Sequence, residues 1–162
     1  ARRDYVLGKM TVLAVLLSPV TWVGSLLVYG VQSSLEGGGW WHGNLRLAWA
    51  HLVGHVTWIV VISSLSLAVS AWIRHKWLAR GALLGLFFVA GVLADILTQL
   101  LGSEWPRLLD LAEAIVIVVL DLFRTQSITD LPPAAAWLVL VGVTLVAQLL
   151  LFRKVRAHEV VR

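Results

Sequence analysis

The chain alternates long apolar runs with short polar segments. Four of the runs contain about 20 residues, which at 1.5 Å per residue lets a helix cross the ~30 Å hydrocarbon core of a bilayer. Within each run the apolar residues follow one another without alternating with polar ones, which indicates helices and not the strands of a barrel. The pattern predicts four membrane spans, over residues 10–31, 52–73, 79–101 and 134–152.

Composition points to the same fold class. Hydrophobic residues make up 59% of the chain and charged residues 14%, with a mean hydropathy of +0.87. A soluble domain is nearer to about 45–50% apolar and about 25% charged. We therefore expect an all-α, polytopic membrane helix bundle. The chain has no cysteine, which excludes disulfides, thiolate metal sites and a cysteine nucleophile.

Basic residues cluster at the ends of the apolar runs. Ten of the 13 Lys and Arg residues precede the first span, lie between the second and third, or follow the fourth. Three lie on the opposite side: Arg46, Arg107 and Arg124. The positive-inside rule then predicts that both terminal segments, residues 1–9 and 153–162, are cytoplasmic. Since orientation accounts for the net charge of +4, we expect membrane lipid and not nucleic acid as a partner.

An amphipathic segment separates the third and fourth spans, at about residues 105–128. Five charged side chains fall within about 120° of one another on a helical wheel of ~100° per residue: Arg107, Asp110, Glu113, Asp121 and Arg124. Most other positions are apolar, which predicts an amphipathic helix, or a hairpin of two short helices, in the outer leaflet. This segment either covers the bundle or forms an outer gate, with Asp110, Glu113 and Asp121 as the gate residues.

Polar residues inside two of the spans are candidates for a substrate path. Those on the third span share half of its helical wheel: Asp95, Thr98 and Gln99. Those on the second span form a stripe: Ser63, Ser66 and Ser70. An intramembrane acid is costly and usually faces protein or water. Both groups are interpreted either as packing seams between helices or as the lining of a path.

Two histidines, His51 and His55, stand one helical turn apart at the start of the second span. Such a pair can share one metal ion. However, no Glu stands between them in an HExxH arrangement, and no third ligand stands out. We therefore predict no metal site and interpret the pair as interfacial histidines above a serine-rich packing seam.

Catalytic motifs are not evident in the chain. Gly8-Lys9-Met10 lacks both the upstream glycine spacing and the Ser or Thr of a phosphate-binding loop. There is no GxSxG sequence and no convincing acid–base pair. We expect no enzyme activity and no cofactor on this chain, so any uphill transport would draw its energy from a partner or an ion gradient.

The two ends of the chain carry a family resemblance. The sequence DYVLGK, residues 4–9, follows two arginines and directly precedes a span. The sequence RKVRAHEVVR, residues 153–162, forms a basic tail. Between them come a basic turn, IRHKWLAR, and a Gly- and Phe-containing span, GALLGLFFVAGVL. Together these segments resemble the permeases of ABC-type exporters of the second type, over essentially the whole chain.

The resemblance implies that this sequence corresponds to the last four of six spans, with two spans upstream of Ala1 or on another polypeptide. It implies that the polar strip (residues 1–9) is a coupling helix that docks on a separate ATPase subunit, which binds ATP and Mg. The docking residues carried over by position are Arg2, Arg3, Asp4, Tyr5 and Lys9. A second permease copy or homologue would complete the path, in a bacterial cytoplasmic membrane.

Two other functions are left open. Without the resemblance, the polar strip is a basic anchor that orients the first span. The chain would then be a non-transporting subunit that anchors or scaffolds a larger complex, with its polar stripes as packing seams. A third hypothesis is a haem or metal redox subunit built around His51 and His55, whose haem form an absorbance spectrum without a Soret band would exclude.

Overall fold

Most of the chain that the structure describes is helical. The structure is a computed structural model, and it describes residues 2–126 and 129–159. Its elements are α1 (Arg2–Glu36), α2 (Gly38–Gly43), α3 (Leu45–Trp72), α4 (Lys76–Leu101), a 3-10 helix (Trp105–Leu109), α5 (Leu111–Phe123) and α6 (Pro133–Glu159). No strand occurs in these ranges. The predicted all-α fold class is confirmed.

Four helices are long and apolar enough to cross a membrane: α1, α3, α4 and α6. The chain is therefore a multi-pass membrane protein. The spanning stretches are Val6–Glu36, Leu45–Trp72, Lys76–Leu101 and Pro133–Lys154. Most of them extend beyond the apolar runs predicted from sequence, since a helix continues through the polar headgroup layer for as long as its residues favour helix.

The four spanning helices give the bundle two chemically different ends. A short turn joins α3 to α4, so these helices are antiparallel. Tyr29 of α1 donates to the carbonyl of Asn44, just before α3, so α1 is antiparallel to α3 as well. We call the end with the α1 N-terminus, the α3–α4 turn and the α6 C-terminus the basic end. We call the 3-10 helix and α5 together the hairpin. The opposite end, where α2 lies and where α4 leads into the hairpin, is the hairpin end.

Although α5 has only 13 residues, it lies inside the bundle. It contacts α3, α4 and α6, and Ala114 and Val118 are fully buried. Gly54 allows α3 to approach closely, because a Cβ there would stand 3.4 Å from Val119 Cγ2. The main apolar core is built largely from α3, α5 and α6. The segment predicted at the outer leaflet therefore enters the bundle as part of its core.

Side chains satisfy backbone groups at both ends of α5. Asp110 caps the N-terminus, where its Oδ1 accepts from the backbone N–H of Ala112 at 2.8 Å and of Glu113 at 3.4 Å. At the C-terminus, Arg46 at the start of α3 donates from Nη2 to the Leu122 carbonyl at 2.9 Å. The first N–H groups and last carbonyls of a helix lack partners within it, so such contacts determine where it begins and ends.

The five charged residues that were predicted to share one face of a single helix do not lie on one helix. Arg107 lies in the 3-10 helix, Asp110 caps α5, and Arg124 ends α5 with a left-handed φ of 52°. Of the five charged residues, only Glu113 and Asp121 lie within α5 itself. The described part of this segment is divided into the 3-10 helix and α5, so it is not one continuous helix.

α1 and α4 are the least covered spanning helices. In the most apolar 18-residue stretch of α1 no residue is buried, whereas 39% of the corresponding stretch of α3 is buried. Large apolar side chains such as Val20 on α1 and Phe88 on α4 are exposed. In a bilayer, such faces contact lipid tails or the helices of a partner.

Candidate functional site

Residues 2–9 of the polar strip form the first turns of α1. α1 is one helix of 35 residues, so the strip continues into the first span and does not fold as a separate coupling helix. Asp4 and Lys9 are exposed at the basic end, whereas Val6 is buried. The structure describes only the backbone, and not the side chains, of the other three predicted docking residues: Arg2, Arg3 and Tyr5.

A charged cluster at the hairpin end joins residues that the sequence assigned to different roles. Nη1 of Arg107 donates to Oε1 of Glu113 at 3.0 Å. This hydrogen bond, together with the charge of Glu113, raises the pKa of Arg107, and the charges of Glu104 and Asp95 add to the effect. Glu113, a gate candidate, thus forms the ion pair, whereas Asp95, an exposed path candidate on α4, acts on the same guanidinium through its charge alone. We call Arg107, Glu113, Glu104 and Asp95 the Arg107 cluster.

Neighbouring contacts tie this cluster to α4 and to the chain ahead of α6. A Cβ at Gly91 of α4 would stand 3.1 Å from Oδ2 of Asp110, so the glycine lets that carboxylate rest against α4. Oε2 of Glu104 accepts from the backbone N–H of Asp130 at 3.0 Å. Charged side chains therefore connect this region to α4 and to the chain just ahead of α6.

The other predicted gate and path residues near the hairpin end do not take part in the contacts of the Arg107 cluster. Asp121, the third gate candidate, is exposed and lies eight residues along α5 from Glu113, or ~12 Å. On α4, Gln99 is exposed. The hydroxyl of Thr98 is buried and has no hydrogen-bond partner in the described part of the chain.

The three serines of α3 that were predicted to line a path do not line one common cavity. Ser63 is 1% exposed, and its hydroxyl has no partner among the described atoms. Ser66 and Ser70 instead line a pocket of about 360 Å³ at the basic end. Three basic residues share that pocket: Arg74, Lys76 and Arg80. Asp95 lies far from it, since 19 residues of α4 separate it from Lys76, or ~28 Å. The two groups of path candidates therefore lie near opposite ends of the bundle.

The two histidines line a cavity of about 420 Å³ among α1, α3 and α5. Nδ1 of His55 donates to the His51 carbonyl at 2.6 Å, and Nε2 lies 3.1 Å from the Ser25 hydroxyl of α1. The His51 ring packs edge-on against Phe123, with centroids 4.8 Å apart. Across residues 2–126 and 129–159, no three His, Asp or Glu side chains are grouped so as to hold a metal ion.

One buried polar contact links three helices. Nε2 of Gln148 on α6 lies 3.0 Å from the Ser64 hydroxyl on α3 and 3.0 Å from the sulfur of Met10 on α1. Ser64 is fully buried. Neither Gln148 nor Ser64 was predicted from the sequence as a site residue. The signal that would have found Gln148 is its position as the one amide in a last span whose other residues, apart from Thr144, are apolar.

Comparisons with protein-family models, with curated protein sequences and with solved structures found no match to this chain.

Proposed function

We propose that the chain is the transmembrane permease subunit of an ATP-driven ABC exporter. It would form part of the substrate path and couple to a separate ATPase subunit. The observation that carries the proposal is the single helix α1, which begins in the polar strip and runs through the bundle. Its 35 residues give a length of ~52 Å, which exceeds the ~30 Å hydrocarbon core. A helix of this length can project from the membrane and meet a soluble subunit.

Contacts along α1 support a coupling role. Near the polar strip, Met10 contacts Gln148 of α6. Farther along, Ser25 contacts His55 of α3. Pro19 removes one backbone hydrogen bond between these two contacts, but α1 continues through it as one helix from Arg2 to Glu36. Displacement of the strip would therefore be carried to α6 at Met10 and to α3 at Ser25. ATP-driven closure of a docked ATPase would in this way reach the interior of the bundle.

The Arg107 cluster supports an outer gate in the same scheme. Within it, the charge of Asp95 on α4 acts on Arg107, and Glu104 accepts from the backbone N–H of Asp130 in the chain before α6. Charged side chains that exchange partners provide two discrete arrangements, which a gate requires. We propose that a shift of α4 or α6 breaks these contacts and opens a path at the hairpin end.

The proposed assembly contains two permeases and two ATPase subunits, with ATP and Mg bound by the latter. It would reside in a bacterial cytoplasmic membrane with both termini in the cytoplasm. The basic residues at the strip, the α3–α4 turn and α6 support this orientation. Membrane lipid covers the exposed apolar faces of α1 and α4 that no second permease covers.

Co-expression with an ATPase subunit tests the coupling role. We expect that ATPase to co-purify, and we expect Tyr5→Ala and Arg3→Glu each to uncouple ATP hydrolysis from transport while the helical content is unchanged. Arg74→Glu is a matched control, since it reverses one charge at the same end of the bundle but outside the strip. If both strip variants keep normal coupling, the strip is not the coupling element.

The alternative is a non-transporting anchor or scaffold subunit. It is favoured by the polar contacts within the chain, such as Gln148 with Ser64 and Ser25 with His55, which join spans as packing seams. Co-purification with a large complex that contains no nucleotide-binding subunit would support this alternative over the permease.

A further inference from the structure

A long apolar groove runs between α4 and α6, with α3 as its floor. Its volume is about 860 Å³, and it is lined only by Leu, Val, Ile, Ala and Gly residues and one Trp. Lining side chains such as Leu86, Val146 and Leu150 remain exposed, so the groove opens on the surface of the bundle. Its size lies within the range of about 300–1,000 Å³ that is usual for ligand sites.

The end of the groove nearest the basic end carries a cation beside an aromatic ring. Nζ of Lys154 lies 4.9 Å from the ring centroid of Trp72, which is itself a lining residue. Leu150 lines the groove one helical turn before Lys154 on α6. Tryptophan and lysine are the side chains that place an amphipathic ring and a charge at headgroup depth. The groove therefore has an apolar interior and a positively charged mouth.

The other end of the groove is closed by the hairpin. Leu109 and Leu111 line it there. On α6 the lining runs from Val139 to Leu150, which is ~16 Å, or roughly half of the ~30 Å hydrocarbon core. A transmembrane helix must cross both leaflets, so it cannot lie along a groove that stops beneath the hairpin. An acyl chain needs only one leaflet.

We propose that this groove binds an anionic phospholipid from the leaflet at the basic end. One acyl chain lies along the apolar lining, and the phosphate pairs with Lys154 beside Trp72. No acidic residue lines the groove, so the charge at its mouth is complementary to a phosphodiester. The site is separate from the Arg107 cluster and from the polar strip. It does not depend on the export function.

Native mass spectrometry of the purified full chain in detergent tests the site. Dioleoyl phosphatidylglycerol and dioleoyl phosphatidylcholine, which share their acyl chains, are added in equal amounts. We expect retention of phosphatidylglycerol to exceed that of phosphatidylcholine by roughly fivefold, the factor that one basic residue contributes near a membrane surface. Equal retention of the two lipids would overturn the proposal.

Two variants separate recognition of the lipid headgroup from binding of the lipid's acyl chain. Lys154→Gln should abolish the preference for phosphatidylglycerol and leave binding of both lipids equal. Gly142→Leu should reduce retention of both lipids, because Gly142 lines the groove and nothing lies within 4 Å of its Cβ position, so the new side chain fills the groove without a clash. Gly30→Leu on α1 is the matched control, since its Cβ position is also open and lies outside the groove.

Other occupants give different results. If glycerol 3-phosphate alone raises thermal stability as much as phosphatidylglycerol does, the ligand is a soluble phosphate and the lipid assignment is wrong. If Gly142→Leu converts a dimer to monomers while lipid retention is unchanged, a second copy of the chain occupies the groove. Unchanged phosphatidylglycerol retention in a monomeric Gly142→Leu protein also contradicts the proposal.

Discussion

Gln148 of α6 donates a hydrogen bond of 3.0 Å to the buried hydroxyl of Ser64 on α3. A polar pair in a membrane bundle contributes ~0.6 kcal/mol on average. We expect Ser64→Ala and Gln148→Leu to show a coupling energy of about that size in a double-mutant cycle. The free energy of unfolding in mixed micelles measures it, and strictly additive effects would mean that the pair is not formed.

The N-terminal cap of α5 gives a second prediction. Asp110→Ala should lower the free energy of unfolding by ~1 kcal/mol, because two backbone N–H groups lose their acceptor. Asp110→Asn should cost much less, since Asn is an equally good cap. Asp121→Asn, which removes one charge from an exposed position of the same helix, controls for charge. Equal losses in the two Asp110 variants would show that the charge and not the cap matters.

The close contact at Gly54 gives a third prediction. Gly54→Leu should destabilise the fold by about 1–3 kcal/mol, because the larger side chain must displace Val119 and with it α5. Gly24→Leu on α1 serves as control, since nothing lies within 4 Å of its Cβ position. Thermal unfolding in detergent compares the two, and a Gly54→Leu protein as stable as the control would contradict the packing of α5 on α3.

Arg107 pairs with Glu113 and also feels the charges of Glu104 and Asp95, and this predicts an unusual response to mutation. Arg107→Gln should expose the hairpin to limited proteolysis, whereas Arg107→Lys should largely preserve protection. The double change Arg107→Glu with Glu113→Arg should not restore protection, because the new carboxylate stands near Glu104 and Asp95. Full protection in the double variant would mean that Glu113 alone holds Arg107.

The absence of cysteine makes orientation directly measurable. Cysteine is introduced by His75→Cys in the α3–α4 turn and by Ser103→Cys at the hairpin end. With a membrane-impermeant maleimide on intact cells, we expect labelling at position 103 only. Labelling at position 75 should require opened cells, because the basic residues orient that end toward the cytoplasm. The reverse pattern would contradict the predicted orientation.

The spanning helices could be predicted from sequence because their signal is local. A run of about 20 apolar residues has few alternatives to a membrane helix. The positions of helix ends were harder to predict. α3 begins at Leu45, ahead of the apolar run from Leu52. Arg46 in this extension donates to the Leu122 carbonyl at the end of α5, a contact that the local sequence pattern does not show.

The contacts of the candidate site were harder to predict from sequence, because a position on a helical wheel does not identify the residues of other helices that lie beside it. The serines of α3 share a face, yet Ser63 is buried and Ser70 is exposed, since the helices around them cover different lengths of α3. Likewise, Asp95 and Glu113 lie 18 positions apart in the sequence. Only the turn of the chain into the 3-10 helix brings both near Arg107.

The buried position of α5 has a consequence for how the protein is made. Its apolar side chains are covered by α3, which precedes it, and by α6, which follows it. During synthesis α5 leaves the ribosome before α6 exists, so part of its apolar surface has no covering helix at that stage. Insertion of the last span is therefore the step that completes the interior, and chains that stop before α6 should be recognised by membrane quality control.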